Sequence, residues 1–299
     1  MPPARKPKLI VILGPTASGK SALAVKLAKK FRGEVISADS RQIYKGLNIG
    51  TGKITKREMR GVPHHLLDIV SPRQNFSAAE YAKKAHALIR EINKRNRIPM
   101  LVGGTGLYID AVARGMVFPE VPPNHKLRKK LSKKGAAGLF KMLKRLDPER
   151  AATIDRQNPR RLIRALEIVE ALKKPVPILQ TKSSYQTLFI GIDRTLRELR
   201  RRIRRAIETR LKRGLLRETA RLLKQDVPAK RLGELGLDYR IAITAIKKEI
   251  TRDQLSKKLE EANWNYIRRQ QTWFRRHRDI HWIKNETEAE RLIKRFLAR

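Results

Sequence analysis

Residues 9–25 read LIVILGPTASGKSALAV: an apolar run, a loop bracketed by glycines, and the start of a helical pattern. Gly14-Pro15-Thr16-Ala17-Ser18-Gly19-Lys20-Ser21 fits the phosphate-binding pattern in which loop N–H groups and a helix N-terminus surround phosphate oxygens. In that pattern Lys20 supplies positive charge to bridging oxygens, and the Ser21 hydroxyl can bind Mg²⁺. Such a loop works only between a strand and a helix, so this stretch commits the chain to an α/β core. It does not decide between a nucleoside triphosphate and a diphosphate on its way out of another molecule.

The following hundred residues keep the alternation. Strands are expected at 9–13 and 34–38, and helices from Ser21 to about Phe31 and from about Ser77 through Ile92. Ser77 and Glu80 have the spacing of a capping box for the second helix. The run IPMLV at 98–102 leads into GGTGLY. Alternating strand and helix implies a mostly parallel sheet flanked by helices, a core of the P-loop type. From Pro119 the texture changes: FPEVPP breaks the pattern, and short basic helices without a strand follow to about Lys174. Strand signals return at 186–192 and, briefly, at 280–283. The expected organisation is a discontinuous core, 7–118 and 186–299, interrupted by an all-helical insertion at 119–185.

Charge narrows the function. Seventy Lys and Arg against 28 Asp and Glu give +42 over 299 residues. So large an excess attracts a polyanion through counterion release, and nucleic acid is the first candidate. The competing reading is a merely solubilising surface. There is no cysteine, which excludes disulfides and thiolate chemistry. No apolar stretch approaches a membrane span, and the first residues do not read as a secretory leader, so a cytoplasmic, monomeric protein without membrane contact is expected.

A nucleotide hydrolase would carry an acidic residue at the end of a later apolar strand. Here IPMLV runs into Gly103-Gly104-Thr105, and the acidic residue is Asp39, at the end of the second strand. In an open sheet that edge is where ligands bind. Asp39 could hold Mg²⁺ through water, accept a proton from a nucleophile, or cap the next turn. His64 and His65 are adjacent in an extended segment, point opposite ways and do not suit a metal pair. Trp264, Trp273 and Trp282 read as packing more than base stacking, and Asp193-Arg194 as the start of the long basic helix.

The blocks GPTASGKS, ADSRQIYKGLNIGTGK, PHHLLDI, LVGGTGLY, DPERAATI…NPRRLIRALE and RRQQTWFRR occur in this order. Together they resemble tRNA dimethylallyltransferases over roughly residues 9 to 283. The resemblance implies dimethylallyl diphosphate as donor, the anticodon stem-loop of tRNA as acceptor and Mg²⁺ as cofactor. The product would be an adenosine alkylated on N6 beside the anticodon. It assigns Gly14 through Ser21 to the diphosphate, Asp39 as general base, and Lys20 and Thr105 to the transfer site. It further implies RNA contacts by Asp39, Ser40, Arg41, Gln42 and Thr105, by Arg128, Arg160, Arg161, Leu162, Ile163 and Arg164, and by Tyr239, Arg240, Tyr266, Arg268, Arg269 and Gln270.

Three departures stand out. Ala206 occupies the place of the second arginine in the family's R-I-x-x-R helix, with Arg202 or Arg205 as substitutes. GLDYR at 236–240 replaces a tighter glycine-tyrosine-basic block, and Asn263-Trp264 replaces a Thr-Arg pair. These changes predict altered donor affinity or tRNA choice. Two other classes fit parts of the pattern: a small-molecule kinase or a prenyltransferase acting on free adenine nucleotides, and a non-catalytic RNA-binding module.

Overall fold

Within the computed structural model, which describes residues 6–178 and 180–299, the apolar runs become a six-stranded sheet. The elements are β1 (Lys8–Leu13), α1 (Lys20–Lys30), β2 (Gly33–Ala38), α2 (Lys56–Met59), β3 (His64–His65), α3 (Ala78–Lys94), β4 (Ile98–Gly103) and α4 (Gly106–Ala113). The helices α5 (His125–Ser132), α6 (Ala136–Leu146), α7 (Pro148–Thr153) and α8 (Pro159–Leu172) follow. The chain then runs through β5 (Gln186–Ile192), α9 (Leu196–Lys212), α10 (Leu215–Lys224), α11 (Ala229–Leu235), α12 (Leu237–Ile246), α13 (Arg252–Phe274), β6 (Ile280–Ile283) and α14 (Glu286–Ala298).

The strand order is β3-β2-β4-β1-β5-β6, and every pairing is parallel. Parallel strands are covered on both faces, which is why β1 and β2 are almost continuously buried. On one face Ile10, Ile12, Met100, Val102 and Ile190 pack with Ala24, Val25, Leu27 and Ala28 of α1 and with Ala289 and Ile293 of α14. By strand alternation Leu9, Val11 and Leu13 turn to the other face, towards α4. Thr195, Thr251 and Ser77 cap α9, α13 and α3 with complete capping boxes.

The register aligns the carboxyl ends of the central strands. Leu13 pairs with Gly103 on one side and Gly191 on the other, and Gly103 pairs with Ala38. The segments after β1, β2, β4 and β5 therefore leave the sheet side by side. The Asp39 strand is not next to β1, since β4 lies between them and brings the Gly104-Thr105 turn into the middle.

The chain divides into two compact units, one running to Gly115 and resuming at Ser183, the other Met116–Lys182. The sequence placed the insertion at 119–185. The difference has a cause: Met116 forms an antiparallel bridge with Thr181, and the Val117 N–H donates to the Gln180 carbonyl, so the connecting segments pair with each other. Inside this unit Leu131, Leu139, Leu143, Leu162 and Leu166 form a separate core. Its DPERAATI…NPRR block has a local reason: Asp147 and Asn158 are N-caps, each followed by a proline at the first helical position. The short edge strand β3 lies in the segment that the sequence suggested was merely extended.

Candidate active site

After β1 the chain curls tightly. The Ser18 N–H donates to the Pro15 carbonyl, Ala17 has φ 63°, and Gly19, with φ 96°, takes the left-handed turn that opens α1. A side chain at Gly19 would meet that strained φ, which is why glycine stands there. The Ser18 hydroxyl is buried with no partner, an unusual state for a polar atom among the described residues. Lys20 Nζ reaches back to the Pro15 carbonyl at 3.3 Å. Burial lowers its pKa, while the negative charge of Asp39 acts in the opposite direction. Two arginines close on this loop from behind: Arg194 Nε donates to the Ser18 carbonyl at 3.4 Å, and Arg202 Nη1 lies 3.6 Å from where a Cβ on Gly19 would stand.

Asp39 sits at the end of β2, partly exposed. Its Oδ1 accepts the Arg41 N–H at 2.8 Å and the Gln42 N–H at 3.4 Å, which fixes the carboxylate while Oδ2 makes no hydrogen bond among the described residues. Thr105 is the N-cap of α4 by position, but its side chain does not cap that helix. Instead its Oγ1 accepts the Ser40 N–H at 3.0 Å, and the Thr105 N–H donates to the Ala38 carbonyl. Thr105 thus ties the Asp39 turn to the end of β4. From α13 the Tyr266 hydroxyl stands beside the Thr105 side chain; burial first, then the charge of Asp39, pushes its phenol up to about 12, while the contact with Thr105 acts in the opposite direction.

Gln270 is the residue whose role the sequence missed. It is buried, and its Oε1 accepts the Thr16 N–H at 2.9 Å while its Nε2 donates to the Gly104 carbonyl at 2.9 Å. One amide joins the phosphate loop to the turn after β4. A Cβ on Gly104 would stand 2.2 Å from that Nε2, so the second glycine of GGTG is required by this approach. Both ends of the Gln270 amide, for which an RNA contact is implied, are thus engaged within the protein.

Other residues for which RNA contacts are implied are also engaged within the protein. Leu162 is fully buried in the core of the insertion. Tyr239 is fully buried, and its hydroxyl donates to Glu218 Oε1 at 2.6 Å. Glu218 also accepts the N–H groups of Asn48, Ile49 and Gly50, so the pair holds the loop that follows Asp39. Arg128 and Arg164 both bond Glu167, at 2.7 and 2.5 Å, and Arg164 also donates to the Val121 carbonyl, so these guanidiniums are largely committed to the insertion's own structure. Arg41, Arg160, Arg161, Arg240, Arg268 and Arg269 are exposed, whereas Ser40, Gln42 and Ile163 are half-buried. The Gln42 amide donates to the carbonyls of Thr51 and Gly52.

Two of the three departures meet, and the third lies one helical turn away. Arg202, Ala206 and Arg210 share the inward face of α9, so Arg202 reaches the phosphate loop from the first position of the R-I-x-x-R pattern, whereas Arg205 is exposed. One turn beyond Ala206, Arg210 pairs with Asp238 of the GLDYR block, and Asn263 Nδ2 donates to the other oxygen of Asp238 at 2.9 Å. Two of the altered blocks therefore meet in one buried network.

Among the smaller sequence features, His65 bonds Glu34 at 2.8 Å and His64 the Val62 carbonyl, without a metal cluster among the described residues. Trp273 donates to Asp110 at 2.9 Å, Trp264 lies under Arg200, and Trp282 is 43% exposed. No helix among the described residues is long and apolar enough to cross a membrane.

Comparison with known proteins agrees with this arrangement. The sequence profile described as IPP transferase matches residues 42–277. The tRNA dimethylallyltransferase of Thermoanaerobacter sp. (strain X514) is 39% identical, with 97% of this chain and 98% of that protein covered. That of Staphylococcus carnosus (strain TM300) is 38% identical over 97% of this chain and 95% of its own length. Among solved structures, the full-length tRNA isopentenylpyrophosphate transferase of Bacillus halodurans superposes with a TM-score of 0.72 at 36% identity, covering 98% of this chain and 96% of that one. A eukaryotic dimethylallyltransferase acting on tRNA gives 0.76 at 26% identity, covering 93% and 74%. With a phosphate loop, an Asp39 turn and a GGT turn on one sheet edge, and relatives matched almost end to end, the chain belongs to the IPP transferase family.

Proposed function

We propose that the chain is a cytoplasmic, monomeric tRNA dimethylallyltransferase. Its donor is dimethylallyl diphosphate, and its acceptor is the N6 amine of an adenosine beside the anticodon. The observation that carries this reading is the placing of Lys20, after β1, and Asp39, after β2, on the same carboxyl edge of the sheet, where the Asp39 charge acts on the Lys20 ammonium. One group stabilises a departing anion, and the other relieves a nucleophile of its proton.

The amine of adenine is a weak nucleophile, because its lone pair is delocalised into the ring. Its attack on the allylic carbon forms a C–N bond as the C–O bond to diphosphate breaks, and the amine proton passes to the Asp39 carboxylate. Charge growing on the leaving oxygens meets the N–H groups of Gly14–Ser21 and the Lys20 ammonium. Arg202, behind Gly19, adds positive charge where Ala206 supplies none. Thr105 and Tyr266 keep the Asp39 turn against the end of β4. An adenine stacked in a loop must be splayed out to reach Asp39, at a cost of a few kcal/mol, which contacts to phosphates from exposed arginines offset.

Mg²⁺ fits this site. The Ser21 hydroxyl, in the first turn of α1, makes no hydrogen bond among the described residues, and a single hydroxyl with diphosphate oxygens and water is a donor set this ion accepts. When bound, the ion supplies further neutralisation of the leaving diphosphate.

The test uses purified protein, tRNA and dimethylallyl diphosphate labelled in its allyl group, with labelled ATP in a parallel reaction. Label is expected to enter tRNA with release of diphosphate, and to be lost with Asp39→Ala while tRNA still binds. Phosphate release from ATP without allyl transfer would identify a kinase or hydrolase instead, and tight RNA binding with neither reaction a binding module.

A further inference from the structure

Helix α9 carries eight basic side chains between Leu196 and Lys212, and the structure sorts most of them by face. Inward, Arg202 lies at the phosphate loop and Arg210 pairs with Asp238. Towards α13, Arg204 bonds Glu260 at 3.0 Å and Arg200 stands 4.8 Å over the Trp264 ring. The remaining edge holds Arg197, Arg201 and Arg205, all exposed, whose side chains make no hydrogen bond, ion pair or ring contact among the described residues.

These three follow one another at four-residue steps, about 6 Å apiece along the axis. Like charges at that spacing oppose helix formation. A face serving only solubility mixes the two signs. Here Glu198 is used in capping Thr195, which leaves Glu208 as the other carboxylate on this edge. With Arg200 and Arg204 the row lines a concavity of about 780 Å³. A row spanning about 12 Å exceeds one phosphate, and the concavity offers no aliphatic or aromatic wedge for a lipid surface.

We propose that Arg197, Arg201 and Arg205 form a docking row for the phosphodiester backbone of the tRNA substrate, outside the nucleotides that enter the active site. The row rests on the proposed function for its partner. Arg197 and Arg201 lie about 140° and about 100° round the helix from Arg202, which approaches the phosphate loop, and Arg205 about 60°, so the row as a whole is offset from the loop and meets RNA outside the target adenosine. Its contribution is affinity and orientation, and it takes no part in the transfer.

The triple variant Arg197→Glu, Arg201→Glu, Arg205→Glu is compared with Arg291→Glu, Lys294→Glu, Arg295→Glu, an equal change of net charge at exposed positions of α14. Full-length tRNA affinity is measured across a salt series, alongside transfer kinetics. The row variant is expected to bind tRNA about tenfold or more weakly at 0.1 M salt, with a salt slope reduced by about two to three. Its kcat at saturating tRNA and its KM for the allylic donor should stay within about twofold. The α14 variant should bind tRNA nearly as the parent does. Unchanged affinity in the row variant, or equal weakening in both variants, overturns the proposal. Failure of the parent protein to transfer the allyl group overturns the proposed function instead, so the two results are separable.

Discussion

Asp39 takes its chemistry from its address. The Arg41 and Gln42 amides hold one oxygen, and the other makes no hydrogen bond among the described residues, which is what the proposed proton transfer needs. Asp39→Asn keeps the shape and these amide contacts but cannot take up the proton, so transfer should fall by about a hundredfold or more, with tRNA affinity nearly unchanged in a binding titration. Lys20→Ala removes one stabilising charge from the leaving group and should cost about a hundred- to thousandfold in transfer, read as single-turnover rates at saturating donor. Both positions stand out in the sequence because each lies in a short local motif, and the structure sets both motifs at the carboxyl edge of the sheet. Glu218 was not: it gathers three backbone N–H groups from 48–50 and the Tyr239 hydroxyl across a long stretch of chain, and nothing near it in sequence marks it. Glu218→Gln puts an amide donor among four donors and should destabilise the fold by about 1–3 kcal/mol, visible as a lower denaturation midpoint.

Among elements, the sheet was legible because strand and helix periods alternate so plainly before residue 115, and the loops at the carboxyl ends follow from that topology. What spacing could not show is how α13 completes the site. Tyr266 and Gln270 are one turn apart on that helix and reach Thr105, Thr16 and Gly104. A family resemblance assigns such residues to RNA, whereas burial assigns Gln270 to bracing. Gln270→Ala leaves a loop N–H and a turn carbonyl without their partner and should lower kcat while tRNA affinity stays close to that of the parent, a split that a surface RNA contact would not produce.

The insertion has its own electrostatic element in Glu167. Arg128, Arg164 and the Asn124 N–H outweigh the opposing effect of burial and bring its carboxyl down to about 2 from 4.5. A depressed carboxylate stabilises the fold fully above its unfolded value. That stabilisation, about 2–3 kcal/mol, should disappear as pH falls from about 4.5 through about 2. Hydrogen exchange within α5 and α8 should therefore accelerate over that window, and Glu167→Gln should flatten the dependence.

At the scale of the whole molecule, +42 is the most visible property of the sequence and the least specific. The structure divides that charge into guanidiniums that stabilise the protein, such as Arg128 and Arg210, those beside the phosphate loop, such as Arg194 and Arg202, and exposed ones available to a polyanion. Composition reports only their sum, so it could name the class of partner and not the face that meets it. The same division explains why the Ala206, GLDYR and Asn263 differences leave Lys20, Asp39 and Thr105 in place: the latter two share the Asp238 network, and Arg202 still faces the phosphate loop.

The most direct measurement incubates the protein with an anticodon stem-loop RNA and dimethylallyl diphosphate, digests the RNA, and weighs its nucleosides. A five-carbon alkenyl group is expected on N6 of the adenosine adjoining the anticodon, formed by the parent protein and absent with Asp39→Ala. Unmodified adenosine from an RNA that binds well, or full product from the Asp39 variant, would contradict it.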